Sequence, residues 1–542
     1  MRWLRNIRAR FQRLQDKTSA EERNHSNILK QSMTISERTQ ATNALHLSSD
    51  LSVNLTNIKE IVGGDFDIGF REFLLSRNRI QAAIVYLDSL VDGIAVDRIL
   101  ENLTADTFTV EREGGEIEPL DTAIQSILVP EKELSRVESF QDFWEGVSIG
   151  KTGLLVDGIQ GAWVMDTMGW HFRSIEESSS EPVIRGPRDG FIENMIVNVS
   201  LVRRRIRSPH LRATSFTIGA LTQTNVVVMY IQGLAKDELI QEVENRLRRI
   251  DIDGVLGTGY LEEYIEDTIL TLFPLVINTQ RPDRVASDLL EGRIAIFAEN
   301  SPEVLIVPAT LNAMLQAPDD YYERAAFGSF IRFIRSAAYI ASIILPGTYI
   351  AIVNFHIELL PTALLLRISS SRQDLPFPVV FEILLMEFLF EILREAGVRL
   401  PRAIGSAVSI VGALILGDAA VNAGLVSPAV VIIVALTAIS SFSAPAYSAA
   451  IAARLLRFIF AILGAIFGLF GIQFGVLLVL THLAGSRSFG EPFLSPWAPL
   501  VVDELKDSAV RVPWWAMILR PGGRERKRQN IKQRTGPQSD EN

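Results

Sequence analysis

Cysteine is absent from the 542 residues. Disulfides, thiolate metal sites and a lipidated cysteine are thereby excluded. Histidine is scarce: His25, His46, His171, His210, His356 and His482 stand far apart, and without thiolate partners no zinc site is expected. A nucleotide loop is incomplete. Gly150, Lys151 and Thr152 supply the end of a phosphate-loop signature, but Glu145 stands where its first glycine belongs and the run precedes a strand-like stretch. Residues 254–260 likewise lack a full G-x-G-x-x-G. No serine, histidine and acid gather into a nucleophile arrangement, so no enzyme activity and no cofactor are expected. An internal repeat is also missing.

The N-terminus has no apolar core of a secretory signal, which leaves the soluble part of the chain in the cytosol. Instead Trp3, Leu4, Ile7, Phe11 and Leu14 recur at near-helical spacing among arginines. This fits a basic amphipathic helix on a membrane surface or a partly disordered extension, since 18–56 is rich in Ser, Thr and Asn. The net charge of −10 comes largely from acids over 60–325, while both termini are basic. That distribution argues against nucleic acid and for termini beside anionic lipid.

Charge itself is what the C-terminal part lacks. Residues 403–453 carry a single charged side chain, Asp418. The runs 336–355, 403–420, 428–445 and 458–481 approach or exceed the about 20 apolar residues that cross a hydrocarbon core of about 30 Å. Arg332 and Arg335 precede the first run and fix that end as cytosolic. The stretch from Pro318 reads as one helix running into the membrane, with Asp319 and Asp320 in its first turn. Counting 377–396 and extending the last run to 483 gives five spans. Five would put the ends on opposite faces, although the basic tail 520–534 also favours the cytosolic side. Either one segment is re-entrant or the tail lies outside.

From about 60 to 320, short β-like runs alternate with helical ones, the pattern of α/β packing. Strands are expected at 82–87, 152–157, 161–166, 226–231, 293–299 and 303–308, and surface helices at 237–250 and 260–269. The expected organisation is therefore an N-terminal extension (1–56), a cytosolic α/β domain (57–325) with a subdomain boundary near 172–190, a helical integral membrane domain (326–484), and a C-terminal segment with a basic tail (485–542).

Within the membrane block, Glu387, Glu391 and Glu395 line one helical stripe and Glu382 lies about 140° from Glu387. Carboxylates are costly in lipid, so the stripe should face water, protein or a cation path. The alternative is an interfacial helix whose acids pair with Arg394, Arg399 or Arg402. In the next span, Gly405, Ser409, Gly412 and Leu416 form one stripe and Ser406, Ala413 and Gly417 another, a spacing that favours close packing. Ser406 and Ser409, with Val408, Ile415 or both, are also candidates for the lining of an oligomeric pore gated by dewetting. Asp418 would sit at its mouth. Gly464, Gly468, Gly471 and Gly475 point to close packing in the last span.

In the soluble part, 185–206 (RGPRDGFIENMIVNVSLVRRRI) reads as a Gly-Pro turn, Asp189 as a cap, and a helix ending in Arg203, Arg204 and Arg205. Arg185, Arg188, Asp189 and these three arginines form a candidate interface to another subunit.

These segments, with RPDRVASDLLEGRIAI (281–296), LIVPATLNAMLQAPDDYYER (305–324), FHIELLPTALL (355–365), 390–428 and HLAGSRSFGEPFLSPWAP (482–499), resemble the A subunit of GerA-type spore germination receptors. The resemblance covers about 60–520. It implies a subunit of a nutrient receptor in the spore inner membrane, partnered by a transporter-like, nutrient-binding B subunit and a lipoprotein C subunit. It also implies a homo-oligomeric channel for monovalent cations, with 406–420 as pore helix and the acids of 382–391 near its entrance. A component of a secondary transporter, or a scaffold without its own pore, is the competing reading.

Overall fold

In a computed structural model of the chain, the residues described are 35–75, 80–105, 124, 134–169, 181, 183, 185–373, 375–399, 417–502, 504–508, 510–517 and 520. They form two compact units. The first comprises Met1–Ser178, Asp189–Tyr264 and Gln280–Val304; the second comprises Ser179–Arg188, Ile265–Thr279 and Leu305–Asn542.

The first half of unit one runs α1 (Ile35–Asn43), α2 (Leu51–Val62), β1 (Ile68–Leu75), β2 (Ile80–Leu87), α3 (Gly93–Thr104), β3 (Leu134–Val137), α4 (Phe140–Ser148), β4 (Thr152–Val156) and β5 (Ala162–Met165). Its five strands make one sheet in the order β1-β2-β4-β5-β3, antiparallel throughout. The period of two along β2 explains the layers. Ile84 and Tyr86 face a core with Ile99 and Leu103 of α3. Ala83, Val85 and Leu87 face the opposite core, with Leu55 and Ile58 of α2 and Phe140, Phe143 and Val147 of α4. A sheet covered on both sides thus results from alternation within one uncharged run.

The chain continues with α5 (Met195–Arg205), β6 (Leu211–Ile218), β7 (Thr224–Ile231), α6 (Asp237–Arg248), α7 (Thr258–Ile265), β8 (Ile277–Thr279), which belongs to unit two, then α8 (Pro282–Leu290), β9 (Ile294–Ala298) and β10 (Val304–Val307), which passes into unit two. Within unit one β7 lies between β6 and β9, antiparallel to both. The first sheet ends before 172–190 and the second begins after it; residues 170–180 lie outside the described set. All six expected strands are present as β2, β4, β5, β7, β9 and β10. The expected surface helix at 260–269 instead ends at Ile265.

Unit two carries α9 (Leu311–Leu315), α10 (Asp319–Tyr322), α11 (Ala325–Phe355), α12 (Thr362–Arg372), α13 (Val379–Arg399), α14 (Pro428–Ser441) and α15 (Tyr447–Gly485). Among the described residues, α11 and α15 are long and apolar enough to cross a membrane, and α14 is a shorter apolar helix. The single helix expected from Pro318 onward is broken. Glu323 and Arg324 are extended, so Asp319 and Asp320 belong to a separate turn. The physical reason is Asp320 itself: it is drawn onto Arg332 and Arg335, one and two contacts deep, at 2.8–3.1 Å.

The last apolar run is not one span. Gly468 has φ 62° and ψ −145°, outside the helical region, inside α15. A side chain there would be strained, and glycine adopts this backbone freely. A Cβ added to Gly471 would lie 2.3 Å from the Leu463 carbonyl oxygen, and one added to Gly475 would meet Phe460 at 3.0 Å. In a straight helix, residues eight apart are separated by about 12 Å. The run therefore folds back at Gly468 into a helical hairpin with limbs 447–467 and 469–485. The first limb runs parallel to α11: the Tyr339 hydroxyl donates to the Ala449 carbonyl, Gly347 and Gly464 meet backbone to backbone, and Gly468 lies against Phe355 and His356.

Candidate ion pathway and subunit interface

The acids of α13 are placed one by one against cations. Glu382 is fully buried. The backbone N–H of Ser427, at the start of α14, donates to its Oε2 at 2.8 Å, and Arg372 of α12 stands 3.6 Å from its Oε1. An anion at a helix N-terminus is favourable, so this carboxylate ties together the end of α12 and the beginnings of α13 and α14.

Five residues further along, Glu387 faces Arg457 of α15 at 3.0 Å, with side chains 2 % and 1 % exposed. Glu391 accepts from both Arg454 and Arg457, and Arg394 adds a longer contact of 3.7 Å. Arg394 donates instead to Ser441 at 2.8 Å and lies over the rings of Phe390 and Phe442. Glu395 pairs with Arg399 at the surface. The stripe is thus turned toward protein, and its main partners come from α15. Pairing of the acids with Arg394, Arg399 or Arg402 was the alternative reading of the sequence, which did not include Arg372, Arg454 or Arg457; Arg402 lies outside the described residues. The available signal was weak: Arg454 and Arg457 are three apart on one helical face just ahead of an apolar run, where arginines usually mark a span's edge.

Ser406, Val408, Ser409 and Ile415 lie outside the described residues. Asp418 is exposed and accepts from the Asn422 amide at 3.0 Å.

The candidate interface separates into different environments. Arg185 and Arg188 belong to unit two, where Arg185 is exposed and 3.8 Å from Glu323. Asp189 and the three arginines belong to unit one. Asp189 does not cap α5; Asn194 does, accepting from the Val197 N–H. Asp189 lies five residues before that cap and instead accepts from Arg205 Nη2 on both carboxylate oxygens, at 2.7 and 2.6 Å.

Arg203 is removed from any interface with another chain, since its side chain is 3 % exposed. It donates to both Asp67 oxygens at 2.8 and 2.6 Å, to Asp65 at 2.9 Å and to the Leu211 carbonyl. Burial works against this guanidinium, but Asp67 and Asp65 outweigh it and raise its pKa above the ordinary arginine value. The residue joins the loop before β1 to α5 and β6, and so holds the two sheet-bearing halves of unit one together. Arg204 and Arg205 are half-buried.

The C-terminal segment returns to the start of α11. Arg332 donates to Asp507 at 2.9 Å (carbonyl) and 3.1 Å (carboxylate). The Tyr321 hydroxyl reaches the same carboxylate, and Arg511 donates to the Glu323 carbonyl at 2.8 Å. His482, near the end of α15, shares a hydrogen bond with Thr271 at 2.9 Å.

A family model described as Bacillus/Clostridium GerA spore germination protein matches residues 56–522. Spore germination protein KA of Bacillus subtilis (strain 168) is 42 % identical over 479 residues, covering 88 % of this chain and 87 % of that one. The uncharacterized membrane protein YfkQ of the same organism is 41 % identical over 498 residues, 92 % of this chain and 96 % of that one. Among solved structures, the N-terminal domain of the A subunit of the Bacillus megaterium spore germinant receptor GerK3 is similar, at 34 % identity over 49 % of this chain and 98 % of that one, with a TM-score of 0.39. Because the family match runs through the sheets, the long apolar helices and the C-terminal segment that packs on α11, the chain belongs to the Bacillus/Clostridium GerA spore germination protein family.

Proposed function

We propose that this chain is the A subunit of a nutrient-sensing germinant receptor in the spore inner membrane. In this reading several copies, with a transporter-like B subunit and a lipoprotein C subunit, form a cation channel that opens when nutrient binds to the complex. The observation that carries the channel reading is the contrast between two neighbouring segments. On α13, Glu387 and Glu391 are held by Arg454 and Arg457, so they serve as helix-to-helix ties and are poor ligands for a passing cation. The run 403–420 keeps one charge, Asp418, which is exposed. Weakly polar Ser406 and Ser409, hydrophobic Val408 and Ile415, and a carboxylate near one end are the ingredients of a hydrophobically gated cation path. Arg185, Arg188, Asp189, Arg204 and Arg205 are the candidates for contact with another subunit, with Arg203 buried.

In this reading the hairpin supplies two crossings. Counting the limbs of α15 separately gives six crossings, with α11, α13, 403–420 and α14. Six returns the tail to the side of the α/β domain, in keeping with its basic residues.

The test is electrical. Unitary cation currents from the purified chain in planar bilayers, altered in conductance or open probability by Val408→Ala, are expected. A silent chain, or currents indifferent to Val408 and Ser409 replacements, sinks the channel reading.

A further inference from the structure

Where α9, the first turns of α11 and the C-terminal segment meet, unit two encloses a half-open cavity of about 180 Å³. Its walls include Leu311, Leu315, Phe333, Leu494 and Trp497, with Arg332 among them. Three observations specify what fits. The first is depth: Arg332 and Phe333 lie one turn ahead of the uncharged run 336–355, which puts the cavity at the boundary between headgroups and acyl chains. The second is the mouth, where Phe333 and Trp497 are 70 % and 52 % exposed; tryptophan is one of the two residues that collect at that boundary. The third is a donor. Arg332 is 3 % exposed and its Nη2 has no hydrogen-bond partner, although its Nε and Nη1 engage Asp320 and Asp507.

A guanidinium already held by two carboxylates calls for a neutral acceptor, and a buried unsatisfied N–H costs about 1–3 kcal/mol until it finds one. The cavity is also smaller than the roughly 300 Å³ at which sites for whole drug-sized molecules begin. It suits one segment of a longer molecule. We propose that this cavity is a binding site for a bilayer phospholipid, which inserts the upper part of an acyl chain between Leu311, Leu315 and Leu494 and presents its ester carbonyl to Arg332. The site uses only unit two and is independent of whether the chain conducts ions. A lipid there would bridge the beginning of α11 and the C-terminal segment, so it belongs structurally to their joint.

The experiment uses the full-length chain in phosphatidylglycerol nanodiscs doped with the same lipid carrying a diazirine just below the acyl carbonyl. After illumination, mass spectrometry locates the labelled peptides. Label is expected on 311–316 and 494–508, falling several-fold in Leu311→Trp and in Ser336→Phe, since Ser336 of α11 also lines the cavity and the two fill it from different walls. Ile340→Phe, on a side chain 56 % exposed, should leave that label at the wild-type level. Label spread only over outward faces of α11 and α15 overturns the proposal, and so does cavity label that neither filling replacement reduces. Should one filling variant be poorly folded, the other makes the comparison, and wild-type label confined to outward faces overturns the proposal in either case.

Discussion

At the scale of single residues, the membrane unit depends on charges that are individually unfavourable and jointly compensated. Arg457 illustrates the balance: 1 % exposed, it faces Glu387 and Glu391 together. Removing one member of a buried pair leaves the other charge uncompensated, a loss of about 3–5 kcal/mol. Arg457→Leu should therefore lower the thermal midpoint of the detergent-solubilised chain sharply, and adding Glu387→Leu should restore part of the loss. No recovery in the double variant would mean that the two do not act as a pair. In unit one, His210 is buried with its Nε2 unpartnered. Burial, with Arg212 and Arg38 adding repulsion, lowers its pKa from 6.5 to about 4. A histidine held neutral binds fewer protons folded than unfolded, so this contribution is intact above about 6.5 and is lost as pH falls toward 4. The full window corresponds to roughly 3 kcal/mol. Melting of the chain between those pH values should show that slope, and His210→Gln should flatten it.

At the scale of elements, the strands and the long helices were legible and their terminations were not. Runs such as VVVMYI and IAIFA are rich in β-branched residues and uncharged, and they form β7 and β9. β1 was missed because IGFREFLL mixes charge into an edge strand that is half exposed. The break between α10 and α11 was invisible for another reason: it answers to Asp320 meeting Arg332 and Arg335, a tertiary contact that overrides a continuous helical pattern. The four glycines of the last run announced close packing, but not which of them turns the chain. Their shared spacing hides the one with positive φ. The partners of the α13 acids were hidden likewise, since residues 66 apart leave no periodic trace. Gly468→Ala should lower the thermal midpoint, by about 1–3 kcal/mol of strain together with crowding against Phe355 and His356 at 3.1–3.2 Å. Gly485→Ala, with open space around it, is the control.

At the scale of the whole molecule, the cysteine-free sequence makes topology directly measurable. Glu358→Cys in the exposed connection after α11 and Gln529→Cys in the basic tail should lie on opposite faces. An impermeant maleimide added outside intact cells should label the first and leave the second until the membrane is opened. Labelling of both from one side would rule out an even number of crossings. The hydrogen bond from Arg332 to the Asp507 carbonyl spans 175 positions in sequence. Arg332 is therefore synthesised long before its partner exists, and α12 to α15 are made while the first turns of α11 are still open. The joint closes only after Asp507 has been made, so formation of α11 and completion of the joint at its first turns are separate events in the birth of the protein.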